Sequence, residues 1–140
     1  MAKELTEIEK EIESGELENA SEDVRAAIKE NPSNSEAYYI YGQILYKKAM
    51  FSEAALLFEI ANIIEENPKY LFNCFLSYLM LDQIDMARSV INQAMLLNKN
   101  ETLRLINDFL DRAYDQSDSI SEEEKKMLRI KVKIFADNFD

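Results

Sequence analysis

The chain has 140 residues, a formal net charge of −11 and no histidine. Such a charge disfavours nucleic acid and anionic membranes as partners. The missing histidine removes the commonest general base and the commonest metal ligand. Two glycines and two prolines leave little turn chemistry for a β protein, so an all-α domain is expected.

The first segment holds Leu5, Ile8 and Ile12, spaced three and four apart as one amphipathic helical face requires. Glu4, Glu7 and Glu11 interleave with them. Gly15, Ala20, Val24, Ala27 and Pro32 follow. The next segment reads Tyr38-x2-Tyr41-Gly42-x2-Leu45, then Ala54-x3-Phe58-x2-Ala61, then Pro68. Ala20, Ala54 and Ala87 stand at nearly equal intervals along the chain, as a structural repeat would place them. Around Ala87 stand Leu71, Cys74, Phe75, Tyr78, Ile84, Ile91 and Ala94, with Phe75 at the place Gly42 holds one period earlier. Past Asn100 this register fails. A helix is predicted over about 101–114, with Leu103, Ile106, Phe109, Leu110 and Ala113 on one side. Another is predicted from Ser121, where Ser121-x-x-Glu124 matches a capping box. It runs through Met127, Leu128, Ile130 and Ile134 to about 135–137. Residues 115–119 are the expected flexible connection.

No run of eighteen apolar residues exists to cross a membrane. The N-terminal MAKELTEIEKE lacks the apolar stretch of a signal peptide. The single cysteine, Cys74, forms no internal disulfide and falls on a core-facing position, where a buried thiol is expected. These features together suggest a cytoplasmic protein. Charge is uneven: residues 1–36 carry eleven acids and four bases, whereas 37–100 carry six and five together with ten of the fourteen aromatics. With one cysteine and no glycine-rich phosphate loop, neither a thiolate metal site nor a nucleotide cradle is expected. Glu122, Glu123 and Glu124 open a helix, where negative charge favours the helix dipole. The chain therefore reads as a non-enzyme without cofactor or metal.

The Tyr38–Pro68 block resembles the tetratricopeptide (TPR) repeat, a helix–turn–helix with the pattern W-x2-L-G-x2-Y…A-x3-F…P. Trp, Leu and the second aromatic are exchanged for other large apolar residues. The resemblance implies an all-α solenoid of three repeats, about 1–34, 35–67 and 68–100. A C-terminal capping pair over about 101–115 and 121–137 would carry a polar outer face. It also implies that the first helix of each repeat lines a concave groove. In that register the second repeat presents Glu36, Tyr39, Gln43, Tyr46 and Lys47. The third presents Lys69, Phe72, Leu76, Leu79 and Met80, and the first Ala2, Leu5, Glu9, Ile12 and Glu13. Tyr39, Gln43, Tyr46, Lys47, Phe72, Leu76 and Leu79 are thus the candidate partner-binding residues, with tyrosines offering an apolar face and a hydroxyl. Two states of the groove stay open: free for a protein or peptide client, or filled by the C-terminal helices. Leu5 and Glu9 stand where carboxylate-clamp TPRs carry Lys and Asn, so an acidic peptide terminus is disfavoured there.

Residues 35–114 are further similar to the class II chaperones of type III secretion, small acidic TPR proteins that hold translocator subunits before export. Gly42-x11-Ala54-x3-Phe58, Pro68-Lys69-Tyr70-x-Phe72, Ala87-Arg88 and Glu101-Thr102-Leu103-Arg104 carry that similarity. It implies a secreted translocator segment lying against Tyr39, Gln43, Tyr46, Phe72 and Leu76, and it allows a homodimer. The shorter N-terminal arm, the acidic first repeat and the added helix after Ser121 depart from that family. A structural adaptor docking through its convex face or termini is the rival expectation.

Overall fold

The computed structural model describes residues 1–112 and 121–139. Regular structure among them is entirely helical: α1 (Leu5–Glu13), α2 (Leu17–Glu30), α3 (Ser35–Lys47), α4 (Phe51–Ile64), α5 (Pro68–Met80), α6 (Ile84–Leu97), α7 (Lys99–Arg112) and α8 (Glu122–Asp137). The expected connection at 115–119 lies outside the described residues, as do Ala113 and Tyr114.

One turn is used three times. After α1, α3 and α5 the chain reverses over three residues whose middle member is left-handed: Gly15 at φ +80°, Ala49 at φ 61° and Asp82 at φ 57°. Each turn closes with a six-to-one and a five-to-two hydrogen bond. Glu16 N donates to the Glu11 carbonyl at 2.8 Å and Gly15 N to that of Ile12 at 3.0 Å. Met50 and Ala49 repeat this on Leu45 and Tyr46, both at 2.9 Å, and Gln83 and Asp82 repeat it on Tyr78 and Leu79 at 2.9 and 3.1 Å. These bonds satisfy carbonyls that a helix end leaves orphaned. The three left-handed residues recur at the same intervals as Ala20, Ala54 and Ala87. The links between pairs also recur. Asn34 and Asn67 cap the next helix, accepting from Glu36 N at 3.1 Å and Lys69 N at 2.9 Å.

The helices from α1 to α7 pack chiefly on their neighbours in the chain. α1 also touches α3, and α5 touches α7, so first helices form one layer and second helices the other. Ala20, Ala54 and Ala87 are fully buried between the layers. Gly42 has a specific role. A Cβ placed on it would stand 2.6 and 2.7 Å from two atoms of the Phe58 ring. At the corresponding positions of the other pairs, Ile8 with Val24 and Phe75 with Ile91 are all fully buried. The ring of Phe58 is thus accommodated by the missing side chain of Gly42, whereas the other two pairs fill the same place with two larger side chains.

The register is lost after α6 for a local reason. Asn98 alone links α6 to α7. The hydroxyl of Thr102 donates to the carbonyls of Ala94 at 2.9 Å and Asn98 at 2.8 Å, tying that corner. With no room for the longer link used before, α7 starts at Lys99. α8 opens with the expected capping box: Glu124 N donates to Ser121 Oγ and Ser121 N to Glu124 Oε1, each at 3.1 Å. α8 packs across α5 and α7. Its buried side chains are Lys125, Leu128 and Val132, whereas Met127, Ile130 and Ile134 are exposed. The expected polar outer face of the terminal pair is therefore interrupted by an apolar stripe.

Gly42→Ala should lower stability by about 1–3 kcal/mol through overpacking, a loss that exceeds the helix-propensity gain of about 1 kcal/mol. Combining it with Phe58→Leu should recover part of the loss, seen as a non-additive double-mutant cycle in urea unfolding. Ala49→Gly should stabilise by about 1 kcal/mol, because the left-handed conformation costs a residue with a Cβ about that much. Gly15→Ala should do the reverse, measurable in the same unfolding assay.

Candidate partner-binding face

The expected binding residues sit on α3 and α5, and the structure buries most of them. Tyr39 is 7% exposed. Its ring lies between those of Phe58 and Tyr70, at centroid distances of 5.7 and 5.0 Å, with Lys69 Nζ 4.6 Å from its centroid. Its hydroxyl accepts from Gln43 Nε2 at 3.0 Å and Asn73 Nδ2 at 3.4 Å. Tyr46 is equally buried and meets Phe51 edge-on at 5.0 Å. Phe72, Leu76 and Leu79 are buried too. Phe109 of α7 stands edge-on to Phe72 at 6.0 Å, and Lys131 of α8 donates to the Leu79 carbonyl at 3.3 Å. Lys131 also pairs with Asp82. Phe135 of α8 meets Phe75 at 5.2 Å.

The roles of the tyrosines are thus exchanged relative to the sequence reading. Tyr38 and Tyr41, which the repeat pattern places at packing positions between the two helices, are half-buried, and the Tyr38 hydroxyl donates to the Pro32 carbonyl at 2.9 Å. The cause lies in neighbouring helices. Tyr39 is covered by Phe58 of α4 and Tyr70 of α5 and Tyr46 by Phe51 of α4, while α7 and α8 pack against α5 over Phe72 and Phe75.

What this layer leaves accessible is polar. Gln43, Lys47, Lys69 and Asn73 are half-buried. Asn73 Nδ2 also donates to the Lys69 carbonyl at 2.8 Å, and Lys69 Nζ lies 3.8 Å from Glu36. The Tyr70 hydroxyl lies 3.2 Å from a Glu36 carboxylate oxygen and 3.1 Å from the Ser35 hydroxyl, which lies 3.1 Å from Glu65, so two hydroxyl protons are shared among three contacts. This network joins the second helix pair to the third. The sequence reading did not single out Asn73. An asparagine within an otherwise apolar helix run, costly unless it finds a partner, was the signal that could have found it.

The buried phenols and the buried thiol stay neutral. Burial pushes the phenols of Tyr39 and Tyr46 well above the usual range, and for Tyr39 the Glu36 carboxylate adds to the effect. Burial, then Glu59, likewise raises the Cys74 thiol, which is fully buried and donates to the Ala55 carbonyl at 3.6 Å. The Tyr78 hydroxyl donates to Glu59 beside it. No group of histidine, cysteine and acidic residues able to hold a metal occurs among the described residues. No helix among them is long and apolar enough to cross a membrane.

A scan against known protein families and a search of curated proteins return no match.

The Tyr46 hydroxyl is buried without a hydrogen-bond partner among the described residues. Tyr46→Phe should therefore stabilise by about 1 kcal/mol, read from the urea midpoint. It should also soften alkaline unfolding. A phenol with a raised folded pKa favours folding fully below its ordinary value of about 10, and that contribution is lost as pH rises beyond it. Removing Tyr46 removes its share of the loss, which an alkaline titration followed by circular dichroism would register.

Proposed function

We propose that this is a non-catalytic protein-interaction module of the tetratricopeptide kind, which binds an extended segment of a client along the first-helix face of α3 and α5. The observation that carries the reading is a helix pair repeated at one near-constant period, with one shared turn and a fully buried alanine at each crossing. Each such pair leaves an apolar face that only a neighbouring pair can cover, which is the logic of a stacked solenoid. Solenoids of this sort serve as docking scaffolds.

Recognition in this reading rests on the polar rim rather than on the buried rings. With one Gln43 proton spent on Tyr39 and both Asn73 protons spent on Tyr39 and the Lys69 carbonyl, Gln43 offers a donor and an acceptor and Asn73 an acceptor to an extended backbone. Lys47 and Lys69 add positive charge beside them. Tyr39, clamped by both amides, fixes their orientation and so lowers the entropy lost on binding. The most specific form is a cytoplasmic chaperone of type III secretion translocators, which would cover apolar client segments before export. The similarity of residues 35–114 to that family supports it. A structural adaptor role is favoured instead by the apolar side chains exposed on α4, α6 and α8.

Peptides selected from a random display library against the wild-type chain test the reading. Binding should weaken about tenfold or more on Gln43→Ala with Asn73→Ala, with helicity and melting nearly unchanged. Selected peptides indifferent to that pair of substitutions would remove the first-helix face as the binding surface.

A further inference from the structure

Two exposed apolar surfaces of this chain complement one another. The first is on α8. Met127, Ile130 and Ile134 are spaced three and four apart, so they form one stripe along the helix, and each is about half exposed. Beside the stripe stand the exposed Lys126 and Lys133, the latter also paired with Asp137, whereas Lys125 is buried against Glu122, Arg129 is held on the Leu110 carbonyl and Lys131 on Asp82. The second surface is the groove between α4 and α6. Its floor and walls include Ile63, Leu71, Met86 and Val90, and it continues past Leu96 and Leu97. Ile63 is 81% exposed and Leu96 89%. The charged residues lining this groove are Glu59 and Glu66, both acidic. α4 contains no Lys or Arg. The single cation of α6, Arg88, faces the other way, with its guanidinium 5.7 Å from the Phe135 ring centroid.

We propose that the α4–α6 groove of one chain receives the α8 stripe of a second copy. An apolar helix face with anchors at i, i+3 and i+7 is the shape that a groove between two helices accepts. Lys126 and Lys133 opposite Glu59 and Glu66 supply charge complementarity that fixes orientation. A chain cannot satisfy its own groove. α8 is fastened on α5 by Phe135 against Phe75 and by Lys131 on the Leu79 carbonyl, and on α7 by Arg129 on the Leu110 carbonyl, and the face of α6 that meets Phe135 is not the one that lines the groove. The net charge of −11 repels copies at long range, but at physiological salt that repulsion fades within about 8 Å, whereas close pairs at the contact persist. Because the joined patches differ, two chains either satisfy each other reciprocally or add end to end.

Sedimentation of the full chain over a wide concentration series tests this. The mass should rise above the 16.3 kDa of one chain. Ile130→Glu and Leu96→Glu, both at exposed positions, should each weaken association about tenfold or more while circular dichroism stays unchanged. An equimolar mixture of the two variants should associate again, since one chain keeps its groove and the other its stripe. A chain that stays at 16.3 kDa throughout overturns the proposal. So does association indifferent to both substitutions, or a mixture that fails to recover it. A monomer that instead binds a lysine-rich amphipathic peptide through Leu96 assigns the groove to a foreign partner and equally overturns it.

Discussion

The ring of Phe58 occupies the space that a side chain at position 42 would need, and the central helix pair is built around that exclusion. Packing at this density makes the two positions a single choice, with volume removed from one helix and supplied by the other. The neighbouring pairs solve the same problem differently, with Ile8 and Val24 in one and Phe75 and Ile91 in the other. The alanines at 20, 54 and 87 do not vary, because there both helices come close at once. A repeat is thus defined here less by identical residues than by a fully buried alanine at each crossing, with the neighbouring pair of positions free to vary in size.

The turns carry the second half of that constraint. Three reversals use the same pair of hydrogen bonds and the same left-handed middle residue, although glycine fills only the first. Ala49 and Asp82 accept a conformation that a Cβ disfavours, held there by two backbone bonds each. Tight geometry at the turns sets the lateral register of each pair, and the caps of Asn34 and Asn67 set the register between pairs. When the link shrinks to Asn98, that register ends, and α8 settles on α5 and α7 instead of extending the two layers.

Much of the helical layout was legible because it is encoded locally. The period of Ala20, Ala54 and Ala87, the Gly42–Phe58 complementarity and the Ser121 capping box are all short-range patterns. The burial of Tyr39, Tyr46, Phe72, Leu76 and Leu79 was not legible. For Phe72 and Leu79 it depends on α7 and α8 returning to α5, and for Tyr39 and Tyr46 on rings of the following helices, and periodicity within one helix carries no trace of what covers it. The same limit applies to α8. Met127, Leu128, Ile130 and Ile134 read as one apolar series, but Leu128 turns inward while the other three turn outward. Asn73 escaped notice because its importance lies in a hydroxyl one helix pair away, at Tyr39.

Because the helices from α1 to α7 lean mainly on those adjacent in the chain, cooperativity here is short-ranged. Forming one pair closes only a short turn, so little chain entropy is spent before contacts appear, and folding of such an array is expected to be fast. The same linearity makes the ends weaker than the middle. α1 is short and buries only Ile8 and Ile12, whereas α5 is buried along most of its length. Loosening should therefore begin at the acidic end and travel inward pair by pair, so that a cellular protease would meet a frayed terminus on a largely intact scaffold.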